Sequence, residues 1–222
     1  MLDFARSIKR DGRPVTVLDI GCGDGLKIGA LLERGLFDGG DKVIGLDINA
    51  TRVGRVKSRY PQLDGRVGDA ATLDGIDDGS CDGVIASALI EHVEDPSLFM
   101  RNLRRVLRPG GKAYISSLVR RKHIVWYYRN RRGEFARDPE HVHEWRSDRE
   151  FQDAVGGWLE PLFFRRSPFT FTAGCLPLLM RRMGLLGDAA AGKLAAACDR
   201  ALPWIRVPDP FFHRVEIIAE KA

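Results

Sequence analysis

Three glycines at alternate positions, Gly21, Gly23 and Gly25, close the run Val15-Thr-Val-Leu-Asp-Ile-Gly-Cys-Gly-Asp-Gly25. The apolar residues before them, Val15, Val17, Leu18 and Ile20, read as a buried strand. The glycines read as a turn where backbone must come close to a ligand. Two carboxylates, Asp19 and Asp24, flank that turn. They repel a pyrophosphate and attract a ligand carrying an ammonium or sulfonium group. The spacing agrees with the charge. A dinucleotide fingerprint is G-x-G-x-x-G, whereas this turn is G-x-G-x-G, and no G-x-x-x-x-G-K-[ST] phosphate loop occurs in the chain.

Alternating strands and helices follow. Lys42–Asp47 is a second apolar strand, and its terminal acid falls 22 residues after Gly25. In doubly wound sheets an acid there accepts hydrogen bonds from ribose hydroxyls. A third strand is expected at 64–68, before Asp69-Ala70, and a fourth at 82–87, before Glu91-His92-Val93. Helices are expected over 25–35, 51–60 and 96–107, the last with Phe99, Leu103, Val106 and Leu107 at helical spacing. Leu107-Arg-Pro-Gly-Gly111 stops that helix and opens a fifth strand at 113–118. Ser147-Asp-Arg-Glu150 is a capping-box pattern opening a helix to about Val155. Residues 161–167 and 211–220 read as the last two strands. This order argues for a mostly parallel sheet.

With these pieces in place, the chain resembles the class I S-adenosylmethionine-dependent methyltransferases, in the broad "type 11"-like group acting on small molecules and lipids. The matching segments are VLDIGCGDG at 17–25, GLDIN at 45–49, GDA at 68–70, SALIEHVEDP at 87–96 and LRPGG at 107–111. The resemblance implies a Rossmann-like α/β fold: a seven-stranded, mostly parallel sheet, helices on both faces, last strand antiparallel. It implies S-adenosyl-L-methionine as cofactor. Asp19 and the backbone of Gly21, Cys22, Gly23, Asp24 and Gly25 would hold the methionine part. Asp47 would bind the ribose, Ile48 would pack on the adenine, and Asp69 with Ala70 would meet its edge. Ser87 would line the floor.

Composition fits one domain over 1–222, with a cofactor-binding core at 12–118. Apolar residues make up 44%, enough for a full core, and no apolar run reaches the roughly 18 residues of a spanning helix. The four cysteines form no C-x-x-C pair, as expected of reduced thiols in a cytoplasm. Peripheral membrane contact stays open. A basic, aromatic insertion spans 119–146. Its stretch 120–132 holds six Arg or Lys and the run Trp126-Tyr127-Tyr128. It can be read as a pocket wall, as a site for anionic substrate or lipid headgroups, or as an RNA-binding surface. The net charge of +5 is weak support for nucleic acid. A second insertion at 168–210 is expected to cap the acceptor.

The chemistry is displacement at a sulfonium methyl, so alignment does most of the catalysis. A base is needed when the acceptor arrives protonated. His92, just past the fourth strand, is the first candidate, and His141 and His143 in His141-Val-His-Glu-Trp145 come second. Each has a purely structural reading as well. No metal is expected: some quinone-type relatives use an acid three residues before the Glu-His pair, and that position is Ala88 here. The Ser87-Ala88-Leu89-Ile90 run lacks the Asn/Asp-Pro-Pro-Tyr/Phe motif of adenine and glutamine methylation. The expected activity is methyl transfer to a small-molecule or lipid-linked acceptor, at oxygen. An RNA methyltransferase and a non-catalytic cofactor-binding protein are the alternatives.

Overall fold

Short apolar runs buried on both faces dictate the centre of the molecule. In the computed structural model, which describes residues 1–9, 12–121, 128–129, 135–136, 140–172, 177, 180–181, 184–201 and 205–222, these runs are strands β1 (Thr16–Ile20), β2 (Lys42–Asp47), β4 (Cys81–Ser87) and β5 (Leu107–Arg120), with the more polar, half-exposed β3 (Leu63–Val67) at the edge beside β2. Two two-residue strands follow, β6 (Tyr128–Arg129) and β7 (Phe135–Ala136), and then β8 (Glu160–Thr172) and β9 (Arg206–Glu220). The main sheet has seven strands in the order β3-β2-β1-β4-β5-β9-β8. Only β9 runs against the others, pairing antiparallel with both neighbours. β6 and β7 pair separately.

Successive side chains leave a strand on opposite faces, so each central strand feeds two cores. Leu18, Ile20, Val84, Ala86 and Ile115 enter one with helices α4 (Pro96–Val106) and α5 (Asp148–Gly156). Val17, Ile85 and Tyr114 enter the other, with helices α1 (Leu2–Ile8), α2 (Leu26–Leu32) and α3 (Ala50–Arg59). Helix starts are chemically marked: Asn49 accepts from Thr51 and Arg52 N–H, and Asp95 from Ser97 and Leu98 N–H. Ser147 accepts from Glu150 N–H as the capping box requires, while the Glu150 carboxylate reaches Arg146 N–H at 2.6 Å, one residue earlier than expected. No helix among the described residues is long and apolar enough to cross a membrane.

The larger departures from the expected boundaries have local causes. Helix α2 ends at Leu32, not 35, because Gly35 turns back onto Leu32 O. Strand β5 begins at Leu107, not Ala113: Arg108–Gly111 bulge between the pairs Cys81↔Leu107 and Gly83↔Lys112. Strands β8 and β9 extend their ladder to Thr172↔Arg206, so the expected 168–210 insertion shrinks to 173–205 and contains α6 (Asp188–Ala201). α1 is an unforeseen element ahead of β1. Its fully buried Phe4 stacks at 6.1 Å on Tyr114, and with Ile8 it occupies the space a Cβ on Gly83 would need.

Positive φ and close packing coincide at Gly25. Its φ is +78°, and a Cβ would stand 2.3 Å from Val56 Cγ2 on α3. Gly35 has a similar φ of +64° with nothing within 4 Å. Gly25→Ala should therefore cost about 2–4 kcal/mol, as left-handed strain plus overpacking, against about 1–2 kcal/mol for Gly35→Ala from strain alone. Urea unfolding midpoints of the two variants check the difference.

Candidate active site

The glycine turn is tied to the end of β2. Gly21 and Cys22 N–H both donate to Leu46 O, at 2.7 and 3.0 Å. Asp47 accepts from Gly23 N–H at 2.8 Å with one oxygen and from Asn49 N–H at 2.9 Å with the other. Each oxygen keeps a second lone pair for an incoming hydroxyl. Beneath the turn, Asp19 is 2% exposed and its Oδ2 has no hydrogen-bond partner. Burial first, then the nearby Asp47, raises its carboxyl to about 7, with Lys27 and a bond from Ile28 N–H opposing. A buried carboxylate oxygen without a donor beside a glycine turn suits the ammonium of an amino-acid ligand. Cys22 contributes backbone only: burial pushes its thiol up to about 12. Asp24 is exposed and pairs with Arg55 at 3.5 Å.

Next to this turn is a cavity of about 280 Å³, lined by Gly21, Asp47, Ile48, Asp69, Ala70, Leu89 and His92 among others. Ile48 stands 77% exposed at its lip, as a residue waiting for a flat ring would. Asp69 caps its own loop by accepting from Ala71 N–H. Helix α4 holds that loop from behind: Asn102 donates to Ala71 O, and Arg105 donates to Thr72, Leu73 and Ile76 carbonyls. Neither residue was marked by a sequence motif. Ser87 is absent from the lining; its hydroxyl pairs with that of Ser116 at 2.9 Å. Ala88 then takes φ +52°, an unusual left-handed turn for a residue with a Cβ. The turn carries the chain into Leu89, which packs so closely that a Cβ on Gly21 would meet it at 2.8 Å.

Of the three expected histidines, the structure brings two together. His92 and His141 meet edge-to-face with ring centroids 4.8 Å apart. His92 Nδ1 lies 3.2 Å from Glu140 O and His141 Nδ1 lies 2.8 Å from a Glu144 carboxylate oxygen. Both partners are acceptors, so each Nδ1 donates, and neither Nε2 has a hydrogen-bond partner among the described residues. Glu91 joins them. It is 2% exposed, accepts from the Ser117 hydroxyl at 2.7 Å, and burial raises its carboxyl above the usual range. One ligand atom from each of Glu91, His92 and His141 falls within a 4.8 Å cluster. The group can take up a proton or hold a cation. Ala88 supplies no ligand upstream of the Glu-His pair, and the third group of the cluster, His141, arrives from beyond β5.

His143 does not join. Glu91 O accepts from both Val142 and His143 N–H, at 2.9 and 3.1 Å. This turn breaks the expected extended alternation and sends the His143 ring onto Trp145, centroids 4.3 Å apart. Its Nε2 is buried without a hydrogen bond; Glu150 stands 3.8 Å away, too far for one. Residues 122–127 and 130–134, with most of the basic, aromatic stretch, lie outside the described residues, as does Trp204.

Comparison with known proteins agrees with this geometry. Residues 18–115 match the family described as methyltransferase domain. A "Probable S-adenosylmethionine-dependent methyltransferase" of Mycolicibacterium smegmatis is 42% identical over 101 residues, covering 46% of this chain and 37% of that protein. A ubiquinone biosynthesis O-methyltransferase of Xanthomonas oryzae is 34% identical over 124 residues, covering 54% of this chain and 49% of that one. The chain thus spans half or less of these relatives' length. A methyltransferase structure from Methanosarcina mazei superposes over 94% of this chain and 93% of its own, with a TM-score of 0.62 at 18% identity, a likeness of fold. Over residues 18–115 the chain thus matches the methyltransferase-domain family, and its relatives there include an S-adenosylmethionine-dependent methyltransferase.

Proposed function

We propose that the protein transfers a methyl group from S-adenosyl-L-methionine to an oxygen of a small-molecule or lipid-linked acceptor. The observation that carries this reading is the partnerless, buried carboxylate oxygen of Asp19 beneath the glycine turn. In this reading Asp19 and the Gly21–Gly25 backbone hold the amino-acid end. Asp47 takes the ribose hydroxyls with its spare lone pairs. Ile48, Asp69 and Ala70 enclose the adenine. When bound, the cofactor supplies a methyl carbon on a sulfonium, whose C–S bond breaks with the electron pair remaining on sulfur. His92 lines the same cavity, and its bare Nε2 takes the proton that the acceptor hydroxyl gives up. His141 and Glu91 stabilise the resulting imidazolium. The similarity to a ubiquinone biosynthesis O-methyltransferase supports oxygen as the methylated atom.

Calorimetry with S-adenosylhomocysteine tests the cofactor half. Folded Asp19 keeps its proton to about pH 7, whereas an ordinary Asp loses it near 3.8. The ligand's ammonium needs the carboxylate, so affinity should rise by about tenfold between pH 6 and pH 8. The same shift means that Asp19 lowers the stability of the ligand-free protein as pH climbs from about 4 to 7. Asp19→Asn should flatten both pH trends and weaken binding by about ten- to a hundredfold. Undiminished, pH-independent binding in Asp19→Asn would reject the assignment.

Initial rates with phenolic acceptors test the other half. His92→Ala should lower kcat by about a hundredfold and leave S-adenosylhomocysteine affinity within about twofold. The loss should shrink with acceptors acidic enough to arrive ionised. A rate equally reduced for every acceptor would assign His92 to structure instead.

A further inference from the structure

A second cavity, of about 560 Å³, lies beyond the end of β5, away from the adenine side. Four guanidiniums line it: Arg120 from the end of β5, Arg121 just after it, Arg146 before α5, and Arg166 from β8. Asp148 and His213 complete its polar wall. The one acid among the described lining residues is already engaged. Asp148 is buried, with one oxygen bonded to Arg166 Nε and the other at 2.6 Å from His213 Nε2. It therefore anchors Arg166 and His213 and, with Arg120 already engaged, leaves an excess of about two positive charges, from Arg121 and Arg146, among the described lining residues. The exposed side chains of Arg121 and Arg146 have no acidic partner among the described residues. Like charges crowd into one concavity only when something opposes their repulsion, and guanidinium forks match oxyanions geometrically. A carboxylate carries one charge; a phosphate or diphosphate ester matches the excess better.

The segment 141–147 connects this cavity to the reacting groups. It starts at His141, beside Glu91 and His92, and reaches Arg146 and Ser147 at the cavity wall. Trp145 fastens it to β5 by accepting Arg120 N–H at its carbonyl. Four steps of strand separate Ser116, paired to Ser87, from Arg120. At about 3.3 Å per residue, the two ends of the acceptor site stand roughly 13 Å apart.

We propose that this arginine-lined cavity binds a phosphate or diphosphate group of the acceptor, with the methylated atom held at the opposite end near His92 and His141. The placement of the reacting end rests on the methyl-transfer reading above; the anion site itself does not. The segment then acts as a ruler, setting which hydroxyl of a phosphorylated acceptor reaches the methyl. Small soluble phosphate esters and phosphate-bearing lipids share the recognised chemistry.

The test is calorimetric titration of the whole protein with inorganic pyrophosphate at fixed ionic strength, on wild type, Arg146→Gln and the Arg121→Gln/Arg146→Gln pair. Saturable binding is expected, weakened by at least about tenfold in the pair. S-adenosylhomocysteine affinity should be unchanged, which also reports that the variants are folded. If the pair does not fold, the single variant should still show a several-fold loss. Equal pyrophosphate affinity in wild type and folded variants, or no saturable binding to wild type, overturns the proposal. Sedimentation with phosphatidylcholine vesicles containing phosphatidic acid separates the sources. Co-sedimentation lost in the pair supports a lipid-borne phosphate, and pyrophosphate binding without co-sedimentation supports a soluble ester. Loss of S-adenosylhomocysteine binding in wild type, with pyrophosphate binding intact, would sink the cofactor reading and leave the anion site standing.

Discussion

The carboxylate of Asp47 joins two strand ends that would otherwise part. One oxygen accepts the Gly23 N–H from the β1 turn, and the other accepts the Asn49 N–H that begins α3. Leu46 O reinforces the joint with two further bonds, from Gly21 and Cys22. The glycine turn therefore has one position relative to β2, and the cavity beside it inherits that position. Asp47 thus serves as framework in its own right. Removing its carboxylate takes two backbone donors out of partnership, so a truncation at this site mixes loss of binding with loss of the turn.

A second joint organises the reacting side. Glu91 lies on the short turn after β4, and its carbonyl receives two consecutive N–H groups from Val142 and His143. Its carboxylate receives Ser117 of β5. Three pieces of chain, separated by up to about fifty residues, are thereby held around two imidazoles with bare Nε2 atoms. Burying an acid here carries a desolvation cost, which the Ser117 hydroxyl and the neighbouring imidazoles offset.

Much of the first half was legible because its signals are local. An apolar run ending in glycines predicts β1 and its turn, and the acid at 47 follows at the spacing one βαβ unit requires. The helix starts at 49, 95 and 147 were marked by Asn, Asp and Ser. Less local features escaped. A seven-residue helix at 2–8 has too few turns to show a periodicity, and its existence depends on Phe4 and Ile8 finding the face of β4 and β5. Ser87 matched the motif, but its hydroxyl was drawn to Ser116 on the neighbouring strand. His141 and His143 look equivalent in an extended reading and diverge because one carbonyl collects both adjacent N–H groups.

The sequence by itself determined the layered α/β architecture, the positions of the strand ends and the residue types at the cofactor edge. Strand burial and glycine turns are decided by near neighbours. Tertiary structure alone decided which histidines meet, that a buried Glu91 stands beside them, and that arginines at 120, 121, 146 and 166 share a cavity with Asp148 and His213. Those groups come from β5, the approach to α5, β8 and β9. Their convergence is set by sheet order and by a β9 that runs antiparallel between β5 and β8, and no spacing along the chain encodes it.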